Sequence, residues 1–167
     1  MNFMQAREAL ESLLDENNEL NTLEIAVNSR ALKSEEAIGI PDRDDFPLLR
    51  GKEVLLQAEI EGALGQAFTA DPIAYHGPLH NLLKLTAERP GNQAMLVSSL
   101  NALLRKLGKI EHTVHCTNHE PEECAKHISQ YILEKHGLCN IGIIGYQPAI
   151  LANCVKLFGK AKVKITD

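Results

Sequence analysis

The apolar positions of the chain switch between helical and strand spacing several times. Phe3, Ala6, Leu10, Leu13 and Leu14 share one face at the 3.6-residue period, which predicts an amphipathic helix ending near Asn17-Asn18. Leu23, Ile25 and Val27 alternate with Glu24 and Ala26 and predict a strand over residues 23–27. Residues 33–51 are loop-rich, and the run Asp42-Arg43-Asp44-Asp45 within them is a solvated turn in its simplest reading. After Gly51-Lys52 comes a clear alternation: Val54, Leu56, Ala58 and Ile60 face one way, and Glu53, Leu55, Gln57, Glu59 and Glu61 the other. Gly62 and Gly65 allow a bend, and Gln66 to Thr69 reads as a return strand.

Pro78 opens a short helix carrying Leu79, Leu82 and Leu83, and Pro90-Gly91 breaks the chain. Leu96, Leu100, Leu103, Leu104 and Leu107 then form a strict helical face that stops at Gly108. Lys109 to Cys116 is extended, as a strand or a stretched loop. Glu120-Pro121-Glu122-Glu123 begins another helix with acids at its positive end, and Cys124, Ile128, Tyr131 and Ile132 form its expected buried stripe. Residues 140–145 are nearly all apolar, as for a strand buried on both faces. Tyr146-Gln147-Pro148 turns into a helix with Leu151, Cys154, Val155 and Phe158 on one face and Gly159 at its end, and Ala161 to Thr166 is a second strand. With Ile110 to His115 as a strand, the second half reads strand-helix-strand-helix-strand. The expected fold class is therefore α/β: a small α+β unit over residues 1–88, then a partial Rossmann-like parallel sheet with flanking helices over residues 89–167.

Composition narrows the function classes. A chain of 167 residues with 44% apolar content builds one domain or two small ones. A net charge of -5 argues against a nucleic-acid partner. No apolar run reaches membrane-span length, and Met1 to Glu8 lacks the basic start and apolar stretch of a signal peptide. The four cysteines show no CxxC spacing and are expected to be reduced, in the cytoplasm. With no Trp and 4% aromatic residues there is no stacking platform for bases or sugars.

The densest chemistry lies in residues 112–136, which hold five of the seven histidines and two of the cysteines. His112, His115, Cys116 and His119 are candidate ligands for zinc, nickel or cobalt, because imidazole and thiolate suit such ions. As a strand the segment would place His112 and Cys116 on one side and His115 on the other. Cys124 shares a face with Ile128 and Ile132 and reads as a core thiol. His115-Cys116 just before a helix also allows a lowered-pKa nucleophile, against the plainer reading of a buried strand-end cysteine. His76 and His80 flank Pro78 and are treated as loop residues.

Gly145, Tyr146 and Gln147 occupy the strand end where ligands of open α/β sheets gather, and Asp167 stands where an acidic residue holds a ribose in dinucleotide-binding folds. Gln147 occupies the place of a second fingerprint glycine and Pro148 offers no N–H, so tight nucleotide binding does not follow. A purely structural turn is the alternative.

Ser99-Leu100-Asn101-Ala102-Leu103-Leu104, Thr113-Val114-His115-Cys116, residues 120–125 (Glu120 to Ala125) and Ile143-Ile144-Gly145-Tyr146-Gln147-Pro148-Ala149 together resemble the heavy-metal chelation family of uncharacterised proteins. The likeness runs from about residue 50 onward and is clearest after residue 95. It implies an enolase N-terminal-like unit joined to a Rossmann-like domain, with a site between them. It also implies further strands beyond Thr166-Asp167. On that reading the chain is truncated or completes its sheet as a homodimer, and the edge strand Ala161 to Ile165 predicts self-association. The expected function is binding of a small ligand or heavy-metal ion in a cleft between the units. The alternatives are a transferase or lyase using an adenine-containing cofactor, with Asp167 on its ribose, and a structural fragment without activity of its own.

Overall fold

The computed structural model describes residues 2–17, Leu20 and residues 26–166. It divides into two compact units: Met1–Ala37 with Lys52–His115, and Ile38–Gly51 with Cys116–Asp167. The helix over residues 90–106, which a boundary at residue 88 assigns to the second unit, thus belongs to the first.

The first unit begins with α1 (Phe3–Glu16), whose start is fixed by a capping box. The Gln5 N–H donates to Asn2 Oδ1 at 2.9 Å, and the Asn2 N–H donates to Gln5 Oε1 at 3.0 Å. Its five predicted apolar positions are all buried. Strand β1 (Ala26–Ala31) overlaps the expected strand only at Ala26 and Val27; Leu23 to Ile25 lie outside the described residues. The stretch expected to be loop contains two short helices, α2 (Ser34–Ile38) and α3 (Pro47–Arg50). Strands β2 (Val54–Ile60) and β3 (Ala63–Thr69) form the predicted hairpin, with the chain reversing at Glu61 and Gly62, both at positive φ. A fourth strand, β4 (Tyr75–Pro78), completes an antiparallel sheet of order β3-β2-β1-β4. His76 is therefore a strand residue paired with Asn28, and His80 sits on the 3-10 turn Leu79–Lys84.

Helix α4 (Pro90–Lys106) closes this core. Pro90 is its first residue, so Pro90-Gly91 starts the helix as well as breaking what precedes it. Leu96, Leu100 and Leu103 are fully buried with Leu56, Ala58 and Ile60 of β2 and Leu10 of α1. The helix ends in a Schellman motif at Gly108 (φ 66°): the Gly108 N–H donates to the Arg105 carbonyl and the Lys109 N–H to the Leu104 carbonyl. Gly65 does not bend the chain. It sits in β3 opposite Ala58, where a Cβ would collide with the backbone of α4 at Ser98, Asn101 and Ala102.

Ile110 to His115 is not a strand. It is a stretched loop laid along the free edge of β3, with the Gln66 N–H donating to the Thr113 carbonyl at 2.9 Å and Thr113 Oγ1 donating to the Leu64 carbonyl at 2.6 Å. Asn101 Nδ2 donates to the Gln66 carbonyl, so side chains and loop together satisfy that edge where a further strand would otherwise pair.

The second unit holds α3, α5 (Glu120–His136), β5 (Ile141–Ile144), α6 (Pro148–Phe158), a 3-10 turn (Lys160–Lys162) and β6 (Val163–Thr166). β5 and β6 pair in parallel, with Ile143 opposite Ile165, and α6 connects them. Its parallel sheet is thus two-stranded among the described residues, because the segment expected as the preceding strand is the loop on β3. β5 is buried on one face only: Ile143 packs with Cys154 and Phe158, whereas Ile144 is 91% exposed. The buried face of α5 also differs from the expectation. Ala125 and Ser129 are buried and Ile132 packs partly buried on the core as expected, whereas Cys124, Ile128 and Tyr131 are exposed. α5 packs on α6 of its own unit. No described helix is long and apolar enough to cross a membrane.

Candidate functional site

The second unit gathers most of its polar chemistry around the entry to α5. Two hydrogen bonds tie Asn118 to the segment after α2: its N–H donates to the Ile38 carbonyl at 2.8 Å, and its Oδ1 accepts from the Ile40 N–H at 2.9 Å. Asn118 is held there at φ 53°, a conformation asparagine tolerates better than most residues. The turn is closed by Glu120, whose carboxylate accepts the Thr117 N–H at 2.7 Å while its own N–H donates to the Thr117 carbonyl at 3.0 Å.

This turn carries Cys116 back to α5, where Glu120 and Cys124 lie four residues apart on one helix face. The Cys116 thiol has Cys124 and Glu120 as its titratable neighbours. Cys116 is half-buried, Cys124 is exposed, and neither is in a disulfide. Burial pushes the Cys116 thiol above its ordinary pKa, and the neighbouring Cys124 and Glu120 push it the same way. This corrects one expectation, since Cys124 is a surface thiol, and the raised Cys116 thiol favours the plainer reading of that cysteine over an activated nucleophile.

The acidic run Asp42-Arg43-Asp44-Asp45 is an interlocked network, not a free turn. Arg43 Nε and Nη2 donate to the two Asp45 oxygens at 2.5 and 2.7 Å, and Arg43 Nη1 donates to the Pro148 carbonyl at the start of α6 at 3.1 Å. Glu122 of α5 lies 3.6 Å from the same guanidinium. Asp45 Oδ2 also accepts from the Tyr146 hydroxyl at 3.1 Å, Arg50 pairs with Asp44, and His119 Nδ1 lies 2.7 Å from Asp42 Oδ1. The Arg43 guanidinium holds the Asp45 carboxyl below its usual range. The Asp45 hydrogen bond raises Tyr146, and Asp42 raises His119. The segment thereby fastens α5, the β5–α6 turn and α6 of its own unit.

The four predicted metal ligands fall on both units. His112 and His115 belong to the first and Cys116 and His119 to the second. His115 packs edge-on against Phe68 with ring centroids 5.7 Å apart, and its N–H donates to Gln66 Oε1 at 2.6 Å. Among the described residues no three His, Cys, Asp or Glu side chains come together as metal ligands. His127 and His136 are exposed.

At the carboxyl end of β5, Gly145 (φ 81°) extends the ladder by donating its N–H to the Thr166 carbonyl at 2.8 Å, and Gln147 caps α6 without a side-chain hydrogen bond. Tyr146 is committed to Asp45. Asp167 lies outside the described residues. A groove of this unit opens at the opposite, amino end of the strands, between Asn140 to Gly142 and Ala161, Lys162 and Lys164.

The nearness of Cys124 to Cys116 is not legible in the sequence because the large apolar residues of α5 point to another buried face. The signal for it is the Thr-x-x-Glu spacing of Thr117 to Glu120, whose carboxylate accepts the Thr117 N–H at the turn into α5. Compared with models of known families, with curated proteins and with solved structures, the chain finds no match in any of the three.

Proposed function

We propose that the chain binds a soft heavy-metal ion through the thiolates of Cys116 and Cys124. The nearness of the two thiols, with Cys124 the foremost ionisable neighbour of Cys116 and neither in a disulfide, carries this reading. Two thiolates at one point suit an ion that accepts two sulfur ligands in line, such as mercuric or cuprous ion, because soft ligands select soft ions. Zinc, nickel and cobalt, the ions expected from a mixed histidine and cysteine set, ask for about four ligands. Glu120, Glu122 and Glu123 on the first turn of α5 and the net charge of -5 favour the approach of a cation. The resemblance to the heavy-metal chelation family supports the same class of cargo.

Each thiol must lose its proton on binding, so uptake releases protons and strengthens as pH rises. The direction of the Cys116 shift sharpens this dependence, since a raised thiol is more fully protonated at neutral pH. The experiment is a titration of reduced, tag-free protein with mercuric ion against a competing thiol, followed by the thiolate-to-metal absorption band. The expected result is one ion per chain at the tight site, lost in Cys116→Ser and in Cys124→Ser and kept in Cys139→Ser. Equal uptake by wild type and Cys124→Ser would contradict the reading. The adenine-cofactor alternative rests on Asp167, which lies outside the described residues, and no contact described above favours it.

A further inference from the structure

We propose that the groove at the amino end of β5 and β6 binds the phosphate group of a small phosphate monoester, with Lys162 and Lys164 as its charged ligands. The site is separate from the cysteine pair and independent of the metal reading. The groove has a volume of about 390 Å³ and is lined by Asn140, Ile141, Gly142, Ala161, Lys162 and Lys164. That volume falls in the range of small-molecule sites. Gly142 pairs with Lys164 across the two strands, so both lie on the same face of the sheet. It is the open face, because the neighbouring Ile143 packs to the other side with Cys154 and Phe158. A Cβ on Gly142 would meet nothing within 4 Å. Glycine inside a strand weakens it and marks places that a ligand approaches closely, and here it leaves space beside Lys164.

Charge identifies the class of ligand. Residues 135–166 hold five lysines and no aspartate or glutamate, in a chain of net charge -5. Among the described residues lysine ion pairs occur at Lys106 and Lys109, and none at Lys162 or Lys164. Two ammonium groups without a carboxylate at one groove match a dianion. A phosphate monoester carries about two negative charges near neutral pH, whereas a carboxylate carries one. Lysine serves phosphate as a point charge, and Asn140 adds an amide donor. Ile141 and Ala161 offer apolar contact to the carbon part of the ester. No aromatic residue lines the groove, so a nucleotide base has nothing there to stack on, and the ester is a small non-aromatic one. The carboxyl end of the strands, where ligands of such sheets usually gather, has its groups committed: the Tyr146 hydroxyl donates to Asp45 and the Gly145 N–H to the Thr166 carbonyl.

The test is an NMR titration of the full, reduced chain with inorganic phosphate, glycerol phosphate and acetate in turn, at constant ionic strength. The expected result is saturable shifts of the amides of Asn140 to Gly142 and Ala161 to Lys164 with both phosphates, and far weaker binding of acetate. Lys162→Gln and Lys164→Gln should each weaken glycerol phosphate roughly tenfold, the loss of one charge-assisted contact. Lys160→Gln, outside the groove lining, should leave it within about twofold, since a distant exposed charge is screened. Gly142→Val should fill the groove and abolish binding while both lysines remain, with its fold checked by far-UV circular dichroism. Acetate binding as tightly as phosphate would overturn the proposal. So would equal losses in Lys160→Gln and Lys164→Gln, which would mark a diffuse basic surface, or unchanged binding in a folded Gly142→Val.

Discussion

Gly65→Ala tests the packing of the first unit at its tightest point. Gly65 lies in β3 opposite Ala58, and its missing side chain would point at α4. An alanine Cβ would stand 2.8 Å from the Asn101 carbonyl carbon and closer still to Ala102 N and Ser98 O. All three are backbone atoms, so no rotamer change relieves the clash, and α4 has to retreat by roughly 1 Å to restore ordinary contact in a close-packed interior. That retreat loosens Leu96, Leu100 and Leu103, which are fully buried on the same helix. The cost is about 3 kcal/mol, the upper part of the range for overpacking. Urea denaturation followed by far-UV circular dichroism measures it, with the m-value checked for constancy. Gly142→Ala is the control, because a Cβ there meets nothing within 4 Å. A loss below about 0.5 kcal/mol at Gly65, the scatter of ordinary surface changes, would refute the close approach of α4 to β3.

Three further outcomes follow from burial and pairing. Leu100→Ala should cost roughly 2–5 kcal/mol in the same denaturation assay, and Leu104→Ala clearly less, because Leu100 is buried and Leu104 half-buried; equal losses would place α4 at the wrong rotation. Ser99→Ala should stabilise by about 1 kcal/mol, since Ser99 Oγ is buried without a hydrogen-bond partner; a destabilisation would show that the hydroxyl is satisfied in solution. His119 should titrate above its ordinary value of 6.5 by NMR, and Asp42→Asn should return it toward that value. The raised value means that the pairing contributes stability fully below pH 6.5 and loses it as pH rises through the His119 midpoint. A His119 midpoint unchanged by Asp42→Asn would remove the pair.

The elements most legible in the sequence are those whose large apolar residues decide their packing. α1, β2 and α4 follow their periodicity because Leu10, Leu56, Leu100 and their neighbours fill one core. Legibility fails where small residues or charges do the packing. On α5 the inward face runs through Ala125, Ser129 and Ile132, so Ile128 and Tyr131 are left outside. Alternation along Ile110 to His115 looks like a strand, but the segment attaches to β3 through one backbone bond and side-chain bonds from Thr113 and Gln66. The run Asp42 to Asp45 has ordinary surface composition, and its partners at His119, Tyr146 and Pro148 are too distant in sequence for local spacing to show them. The cysteine pair shares that difficulty: Cys116 was legible as a ligand type, but its partner depended on which way α5 faces.

The central claim is that Cys116 and Cys124 act together on one soft ion. X-ray absorption at the mercury edge, on reduced protein loaded with less than one mercuric ion per chain, tests it most directly. The account predicts a first shell of two sulfur atoms in wild type and loss of that two-sulfur shell in Cys124→Ser at the same loading. A shell of nitrogen or oxygen in wild type, or an unchanged two-sulfur shell in Cys124→Ser, would contradict it.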